Sequence, residues 1–288
     1  MTEERSQPFK DSQGSDHPDQ DRNEQLPEQI LAEYKRRLKT RNLLVRLTQL
    51  AILFGSFGLW ELAGRRQWID VLLFSYPSRV FTLLYNNMVS GELWPHVWAT
   101  VLETFAGFVL GTLAGTILAI IIWWSPFLER VLDPYIVVLN SLPKVALGPL
   151  FIVGLGPGYA SIIGMTLAIT VIITTLVVYT SFKEVDPNYA KVVRVFGAGK
   201  VKVFRKVILP ASFPTIISTL KVNVGLAWVG VIVGEFLVSK QGLGYLIIYG
   251  FQVFNFTLVI GSLLVIAAAA TIMYQAVAYL EHRLTQRR

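Results

Sequence analysis

The chain has 288 residues, of which 53% are hydrophobic and only 16% are charged, and it contains no cysteine. Soluble domains carry roughly 25% charged residues, so this composition excludes an ordinary soluble domain and indicates a protein embedded in a membrane. The absence of cysteine excludes disulfides, thiolate metal sites and cysteine nucleophiles. The formal net charge is +7. Because the lysines and arginines stand beside apolar stretches, this charge indicates orientation in a membrane rather than nucleic-acid binding.

The N-terminal segment differs in composition from the rest of the chain. Residues 1–34 hold nine Asp and Glu against three Lys and Arg. They are too polar to bury the apolar area that would offset their ordering entropy. They also lack the basic start and apolar middle of a signal peptide. A run of six basic residues follows over 35–46. We therefore predict that residues 1–43 form a disordered tail, first acidic and then basic.

Six apolar stretches follow this tail, and crossing a hydrocarbon core of roughly 30 Å takes about 20 helical residues. They predict an all-α integral membrane protein of about six transmembrane helices. One N-terminal span with its flank occupies 44–74, and a five-helix core occupies 75–288. The stretches are Leu47–Ala63, Val101–Trp124, Pro134–Leu155, Ala160–Thr180, Ile216–Leu237 and Thr257–Leu280.

The segments between the stretches carry their own signals. Pro77 precedes an amphipathic segment, Arg79–Val89, which predicts a surface helix. Ser125–Asp133 is predicted to be a loop. Pro143 and Pro149 interrupt the third stretch, and a broken helix at membrane depth is tolerated where it lines a cavity.

The distribution of basic residues predicts the orientation. If the N-terminus lies inside the cell and six stretches cross, the inner segments hold seventeen Lys and Arg and the outer loops hold four. Inner loops of membrane proteins are enriched in these residues, so both termini are predicted to be cytoplasmic. Arg65 and Arg66, just outside the first stretch, are the one local conflict.

The charged segment 181–214, between the fourth and fifth stretches, is the most informative part of the chain. Asp186 followed by Pro187 is typical of a helix start, because the carboxylate accepts from free N–H groups and proline fits the first turn. Gly197 stands where a left-handed cap is needed. An apolar stripe lies between them: Val192, Val193 and Phe196. A second amphipathic run is predicted to end at Pro210. So short a helical hairpin has no core of its own, so its apolar stripe must dock on the membrane surface, on the chain or on a partner.

The spacing from Gly197 to Ile208-Leu209-Pro210 resembles the cytoplasmic loop of permease subunits of ATP-driven (ABC) importers. In that family the loop opens with Glu-Ala-Ala, and its short helix fits a cleft on the ATP-hydrolysing subunit. Counting back from Gly197 places the motif on residues that depart from those letters: Lys191, Val192 and Val193. Lys191 is positively charged where the family has a negatively charged glutamate. Gly197, Ala198 and Ile208–Pro210 match the family's loop.

Further motifs extend the resemblance over about residues 75–280. The third-stretch pattern and the glycine-rich end of the fifth look like the nitrate, sulfonate and taurine branch of the binding-protein-dependent (type I) class. They comprise Leu142-Pro143, Ala146-Leu147, Pro149-Leu150, Ala227-Trp228, Gly234-Glu235 and Gly242-Leu243-Gly244-Tyr245. The resemblance implies a bacterial cell-membrane protein acting as a homodimer with two ATPase subunits and an extracellular solute-binding protein. ATP and magnesium would be bound by the ATPase, with no cofactor on this chain.

Small residues at four-residue spacing in the second stretch predict close helix packing. They are Gly107, Gly111 and Gly115. The favoured interpretation is packing inside one subunit, and the alternative is a contact between subunits.

Polar residues in the spans are candidates for the translocation path. At the break in the third stretch these are Asn140, Ser141, Pro143 and Lys144. Lys144 either attracts an anion or turns toward a headgroup. In the fifth stretch they are Lys221, Trp228 and Glu235. Lys221 either reaches the inner interface or lines the inner mouth of the path. For Glu103 and Glu235, near span ends, snorkelling to the interface is the favoured account.

No catalytic set is visible. The histidines are predicted to lie in a tail, a loop and a terminus: His17, His96 and His282. No phosphate-binding loop precedes Gly199-Lys200, so ATP hydrolysis is expected in a separate subunit. The favoured function is a permease subunit for a small anionic or zwitterionic solute, such as a sulfonate, taurine or nitrate. Thiamine-precursor pyrimidines or riboflavin remain alternative solutes. Three rivals remain: a secondary transporter, an intramembrane enzyme and a membrane-anchored interaction protein.

Overall fold

The computed structural model describes residues 18–285, including the side chains of residues 36–284 apart from Leu38. The described residues form helices and no strands, which confirms the all-α class. The helices are α1 (Pro18–Arg65), α2 (Val71–Phe74), α3 (Pro77–Val89), α4 (Leu93–Trp124), α5 (Pro126–Ser141), α6 (Gly148–Leu155), α7 (Tyr159–Glu184), α8 (Pro187–Val195), α9 (Lys200–Val203), α10 (Leu209–Val238), α11 (Leu243–Gln252) and α12 (Phe256–Thr285).

The number of membrane spans agrees with the sequence prediction. By length and hydropathy, five helical segments of the described chain are able to cross a membrane, with Lys200–Val238 counted as one. A sixth span results if Pro126–Ser141 and Lys144–Leu155, which meet at a bend of 95°, are taken together. The predicted break in the third stretch is therefore confirmed. The predicted loop Ser125–Asp133 is wrong: Ser125 caps α5 by accepting from the N–H of Leu128 at 3.3 Å, and Pro126 takes the first helical position.

The chain divides into two compact units, one ending at Trp60 and the other beginning at Glu61. In the first unit, the structure differs from the predicted disordered tail. Residues 18–34 belong to α1, and they include several good helix formers, among them Glu, Gln and Leu. Residues 1–17 of that tail lie outside the described residues.

The second unit is built around α4, α7 and α10, which pack side by side. Each glycine of α4 at the predicted spacing meets a threonine of α7: Gly107 meets Thr166, Gly111 meets Thr170, and Gly115 meets Thr174. A Cβ atom added to any of these glycines would overlap its threonine, and the one on Gly115 would lie 2.5 Å from the Cβ of Thr174. These glycines therefore lie at a close contact between two helices of the same chain, as the favoured interpretation expects.

Buried polar groups tie the same three helices together. Three threonine hydroxyls of α7 donate to carbonyl oxygens one turn earlier in their own helix; Thr170, for example, donates to Thr166 at 2.8 Å. The Thr175 hydroxyl instead donates to the Gly115 carbonyl oxygen of α4 at 3.1 Å. Asn223 of α10 is fully buried, and its amide donates to Thr112 of α4 and to Thr174 of α7, both at 2.8 Å. One side chain thus joins all three helices through hydrogen bonds inside the apolar layer.

The unit has two distinguishable ends. The segment 185–208 joins α7 to α10, and we call this the hairpin end. Helix α10 then runs away from it, so that Glu235 at its other end meets Thr100 in the first turns of α4. We call this the far end. The predicted surface helix Arg79–Val89 is confirmed as part of α3, which packs on α12 through Val80 and Leu84 against Gly261.

Candidate functional site

The hairpin after α7 begins as its sequence predicts. The Asp186 carboxylate accepts from the N–H of Asn188 at 2.8 Å, and Pro187 is the first residue of α8. The helix ends at Val195, and Gly197 has φ +77°, a left-handed conformation that an L side chain adopts only at a cost. These local signals therefore place a short helix with defined ends at this position.

Helix α8 presents a large apolar surface that no other described residue covers. Val195 and Phe196 are about 85% exposed, and Tyr189 and Val192 are more than half exposed. Val193 and Ala198 are half-buried, whereas Lys191 and Gly197 are exposed. A cavity of about 430 Å³ lies between α8 and the next helical run, lined by Tyr189, Val192, Val193, Lys206, Val207, Pro210 and Ala211. Exposed apolar surface of this kind marks an interaction site.

The second run of the hairpin does not end at Pro210, contrary to the sequence prediction. Helix continues from Lys200 to Val238, and residues Phe204–Ile208 form a wider π-helical turn. Pro210 has no N–H to donate to the preceding turn, and a widened turn accommodates the carbonyl left free. Ile208 is buried in the apolar core at the hairpin end, and Leu209 and Pro210 are half-buried. These three residues therefore anchor the hairpin instead of extending its exposed surface.

A clamp that the sequence analysis missed joins the hairpin to α4. The Lys200 ammonium group donates to the carbonyl oxygen of Trp124, the last residue of α4, and lies 5.4 Å from the ring centre of Trp123. The ring of Phe204 packs 4.9 Å from that of Trp123 and 5.5 Å from that of Phe182 in α7. A cation at a helix C-terminus and over aromatic faces is stabilising. The two adjacent tryptophans at the end of a span were the sequence feature from which this contact could have been predicted.

The far end contains a second buried polar cluster. The Glu235 carboxylate accepts from the Thr100 hydroxyl and from the N–H of Gly244, both at 2.6 Å. The N–H of Gly242 donates to His96 Nδ1 at 3.0 Å. Glycine is required at 242 and 244 because the Glu235 carboxylate occupies the space of a Cβ atom at either position. The first N–H groups of α11 are thus paired with side chains of α4 and α10.

Two predictions about this cluster are wrong. Glu103 and Glu235 are 3% and 1% exposed, so neither snorkels to an interface. The reason is that α11 folds back over the end of α10 and brings its N–H groups to Glu235. Glu103 lies within hydrogen-bonding reach of Glu235, and its own two oxygens accept no hydrogen bond from the described residues. His96, predicted to lie in a loop, is in the first turn of α4.

The predicted path residues fall into separate groups. At the bend after α5, the Lys144 ammonium group turns back to the Asn140 carbonyl oxygen at 2.7 Å, and the Ser141 hydroxyl donates to Val137 at 2.9 Å. Pro143 precedes the short 3₁₀ turn Lys144–Leu147. Lys144 thereby caps the C-terminus of α5, a favourable position for a cation.

On α10, the three candidates lie at different heights, about 10 Å apart along the axis at 1.5 Å per residue. Lys221 forms an ion pair of 2.7 Å with Glu281 of α12. Trp228 is buried in a cluster with Phe108, while Glu235 belongs to the far-end cluster. The structure therefore does not bring the candidates from the two stretches into one site.

Residues 107–286 match the family described as binding-protein-dependent transport system inner membrane component. The chain belongs to this family. It is therefore the permease of an ABC importer of the type I class.

Individual relatives agree with this assignment. The permease is 28% identical over 229 residues to the putative aliphatic sulfonates transport permease protein of Bacillus subtilis, covering 78% of this chain and 82% of the relative. It is 28% identical over 188 residues to the formylaminopyrimidine transport permease protein of Halalkalibacterium halodurans, covering 65% and 74%.

A solved structure supports the fold alone. The permease aligns with a chain of a bacterial ABC transporter involved in the import of the polysaccharide alginate, with a TM-score of 0.62. The identity is 14%, and the alignment covers 89% of the permease and 99% of that chain.

Proposed function

We propose that the hairpin 186–214 of this permease is the docking site for a separate ATP-hydrolysing subunit. The observation that carries this proposal is the uncovered apolar surface of α8, with Val195 and Phe196 about 85% exposed. An apolar surface of this kind costs free energy in water, and burial against a partner removes that cost. ATP and magnesium are bound by the partner in this scheme.

The docking contact differs from the family pattern in its charge. Lys191 occupies the position of the family's glutamate and is exposed, with Arg194 one turn further along α8. We expect the complementary cleft of the ATPase to carry acidic residues opposite Lys191 and Arg194.

The clamp provides a route by which movement of the docked ATPase is transmitted to the membrane spans. Because Lys200 and Phe204 attach the second hairpin helix to Trp124 and Phe182, a displacement of the hairpin moves the ends of α4 and α7 with it. The same helix continues into α10. ATP-driven closure of the motor subunits is thereby passed to three packed helices at once.

The assembly we propose is two copies of this chain, two ATPase subunits and an extracellular solute-binding protein. Both termini and the hairpin face the cytoplasm, in agreement with the excess of basic residues in those segments. The proposed solute is small and anionic or zwitterionic, such as a sulfonate, taurine or nitrate, in keeping with the sulfonate relative. A thiamine-precursor pyrimidine is the second candidate, favoured by the formylaminopyrimidine relative.

The docking proposal is tested by co-purification with the ATPase subunit of the same importer. Val192→Asp and Phe196→Asp should each reduce ATPase recovery by about tenfold or more, since burying an unpaired charge costs well over 1.4 kcal/mol. Lys202→Gln is the matched control, because it changes the charge of the same hairpin by one unit at an exposed position outside α8. ATPase recovery by the α8 variants equal to that of the control would refute docking through α8.

The solute is tested separately in proteoliposomes that contain the whole complex and its binding protein. Uptake of labelled taurine and of labelled formylaminopyrimidine is compared under ATP. Uptake of formylaminopyrimidine without uptake of taurine would assign the pyrimidine as the solute instead of an anionic or zwitterionic one. If neither compound is taken up, both proposed solutes are rejected.

A further inference from the structure

Two buried carboxyl groups at the far end have no part in the coupling mechanism described above. Glu103 of α4 is 3% exposed and Glu235 of α10 is 1% exposed, and they lie within hydrogen-bonding reach of each other. Neither forms an ion pair in the part of the chain that the structure describes, and Lys240 in the adjoining turn is exposed. Two carboxylates in contact repel each other, and burial penalises each charge. The pair therefore holds a proton at neutral pH.

The hydrogen bonds already formed indicate which group carries this proton. One oxygen of Glu235 accepts from the Thr100 hydroxyl and the other from the N–H of Gly244, both at 2.6 Å. The N–H of Leu243 donates to the Thr100 hydroxyl at 2.8 Å and so helps to orient it. Neither oxygen of Glu103 accepts from a described residue. Because hydrogen bonds to a carboxylate stabilise its charged form, Glu235 is the ionised member and Glu103 the protonated one.

The helices around the two carboxyl groups compensate the remaining charge without a cationic side chain. His96, near the start of α4, accepts from the N–H of Gly242 through Nδ1 at 3.0 Å, so this nitrogen carries no proton. Tyr245 of α11 stacks on the His96 ring with the ring centres 5.9 Å apart. From α7, the apolar Ile162 packs against Gly234. The positive potential comes instead from the N-terminus of α11, where unpaired N–H groups favour an anion.

We propose that Glu103 is protonated and donates a hydrogen bond to the ionised Glu235, and that this carboxyl pair holds the far end together. The pair joins α4 to α10 and, through Gly244, to the start of α11. Loss of the proton would place two negative charges side by side, and their repulsion would loosen the turn between α10 and α11. The proposal concerns contacts within this chain, so it does not depend on the solute or on how the ATPase docks.

Infrared spectroscopy of the purified complex, in a detergent without ester groups, tests where the proton lies. A protonated carboxyl group absorbs at a higher C=O frequency than a carboxylate. At neutral pH, Glu103→Gln should remove a protonated-carboxyl band from the native spectrum. Glu235→Gln should retain it, because Glu103 stays buried and keeps its proton. Glu129→Gln is the matched control, since Glu129 pairs with Lys183 at the hairpin end, and it should also retain the band.

A pH titration adds a readout that a purely structural role of Glu103 would not change. At neutral pH, hydrogen exchange over residues 242–246 should be alike in the native complex and in Glu103→Gln, because the glutamine amide still donates to Glu235. At alkaline pH the native complex should lose the infrared band. Its exchange over these residues should then exceed that of Glu103→Gln at the same pH by about tenfold or more.

Several results would overturn the proposal. A native spectrum without a protonated-carboxyl band would do so without recourse to any variant. Retention of the band by a folded Glu103→Gln variant would place the proton elsewhere, and its loss in Glu235→Gln alone would assign the proton to Glu235. Equal acceleration of exchange in the native complex and in Glu103→Gln at alkaline pH would show that the turn loosens for another reason.

Discussion

The ammonium group of Lys200 donates a hydrogen bond to the carbonyl oxygen of Trp124, 76 positions earlier in the chain. This bond connects the hairpin to the end of a span that is remote in sequence. It makes the second hairpin helix part of the packed core, whereas α8 projects from that core with its apolar residues exposed. The hairpin therefore has one half suited to receiving a partner and another suited to transmitting its motion.

The clamp predicts that Lys200→Ala uncouples transport from ATP hydrolysis. Losing the bond to Trp124 and the contact with Trp123 should reduce coupling by about 0.5–2 kcal/mol, the range measured for residues that link distant sites. The measurement is the number of solute molecules moved per ATP hydrolysed in proteoliposomes. Lys202→Ala serves as the control and should leave that ratio unchanged. A lower transport rate at an unchanged ratio would count against the clamp.

The left-handed conformation of Gly197 predicts a residue-specific effect. Gly197→Ala should destabilise the hairpin by about 1 kcal/mol, because φ is +77° although the space around the Cβ position is open. Gly197→Asn should be milder, since asparagine tolerates this region. Gly199→Ala is the matched control, with equally open space and φ −70°. The readout is affinity for the ATPase, and equal losses at both positions would contradict the backbone explanation.

Packing between α4 and α7 predicts that Gly111→Ala lowers stability by about 1–3 kcal/mol through overpacking. The added methyl group would overlap the Thr170 side chain. Thermal melting of the purified permease measures the effect, and Thr170→Ala in the same chain should recover part of it. Gly225→Ala in α10, where no atom lies within 4 Å, should melt like the native permease. A normal melting temperature for Gly111→Ala would show that α4 and α7 are less closely packed.

The far-end cluster predicts that Glu235→Ala loosens the turn before α11. Its loss leaves the N–H of Gly244 without an acceptor, and hydrogen exchange over residues 242–246 should accelerate by roughly tenfold, equivalent to about 1.4 kcal/mol. Glu103→Gln alters the neighbouring buried carboxyl group, whose oxygens accept no hydrogen bond here, and should leave this exchange close to native. If the two variants behave alike, Glu235 is not the cap.

The local part of the fold was predictable from sequence because its causes are local. Asp186-Pro187 and Gly197 act within a few residues of themselves, so the start and end of α8 follow from their chemistry. The glycine spacing of α4 predicts close packing for an equally local reason, since only small side chains permit two helices to approach closely. Pro210 misled the prediction because a proline usually ends a helix, whereas a wider turn here lets the helix continue.

The contacts between distant segments were not predictable in the same way. Distance from the end of a span suggested that Glu235 reaches the interface, but its surroundings are set by α11, which returns over it. Pairing of Lys200 with Trp124 depends likewise on how α4 and α10 lie together. A single sequence contains the residue types for these contacts but no information on which of many lysines and carbonyls will meet.

The unbroken helical run from Lys200 to Val238 has a geometric consequence. From Lys200 to Glu235 it measures about 50 Å at 1.5 Å per residue. If it rotates as one rod, each degree of tilt displaces one tip relative to the other by about 1 Å. A rocking motion of only a few degrees, begun at the clamp, would shift Glu235 and the turn it holds by several ångströms. The far end of the protein would then respond directly to movement of the ATPase subunits, with no intermediate structural element.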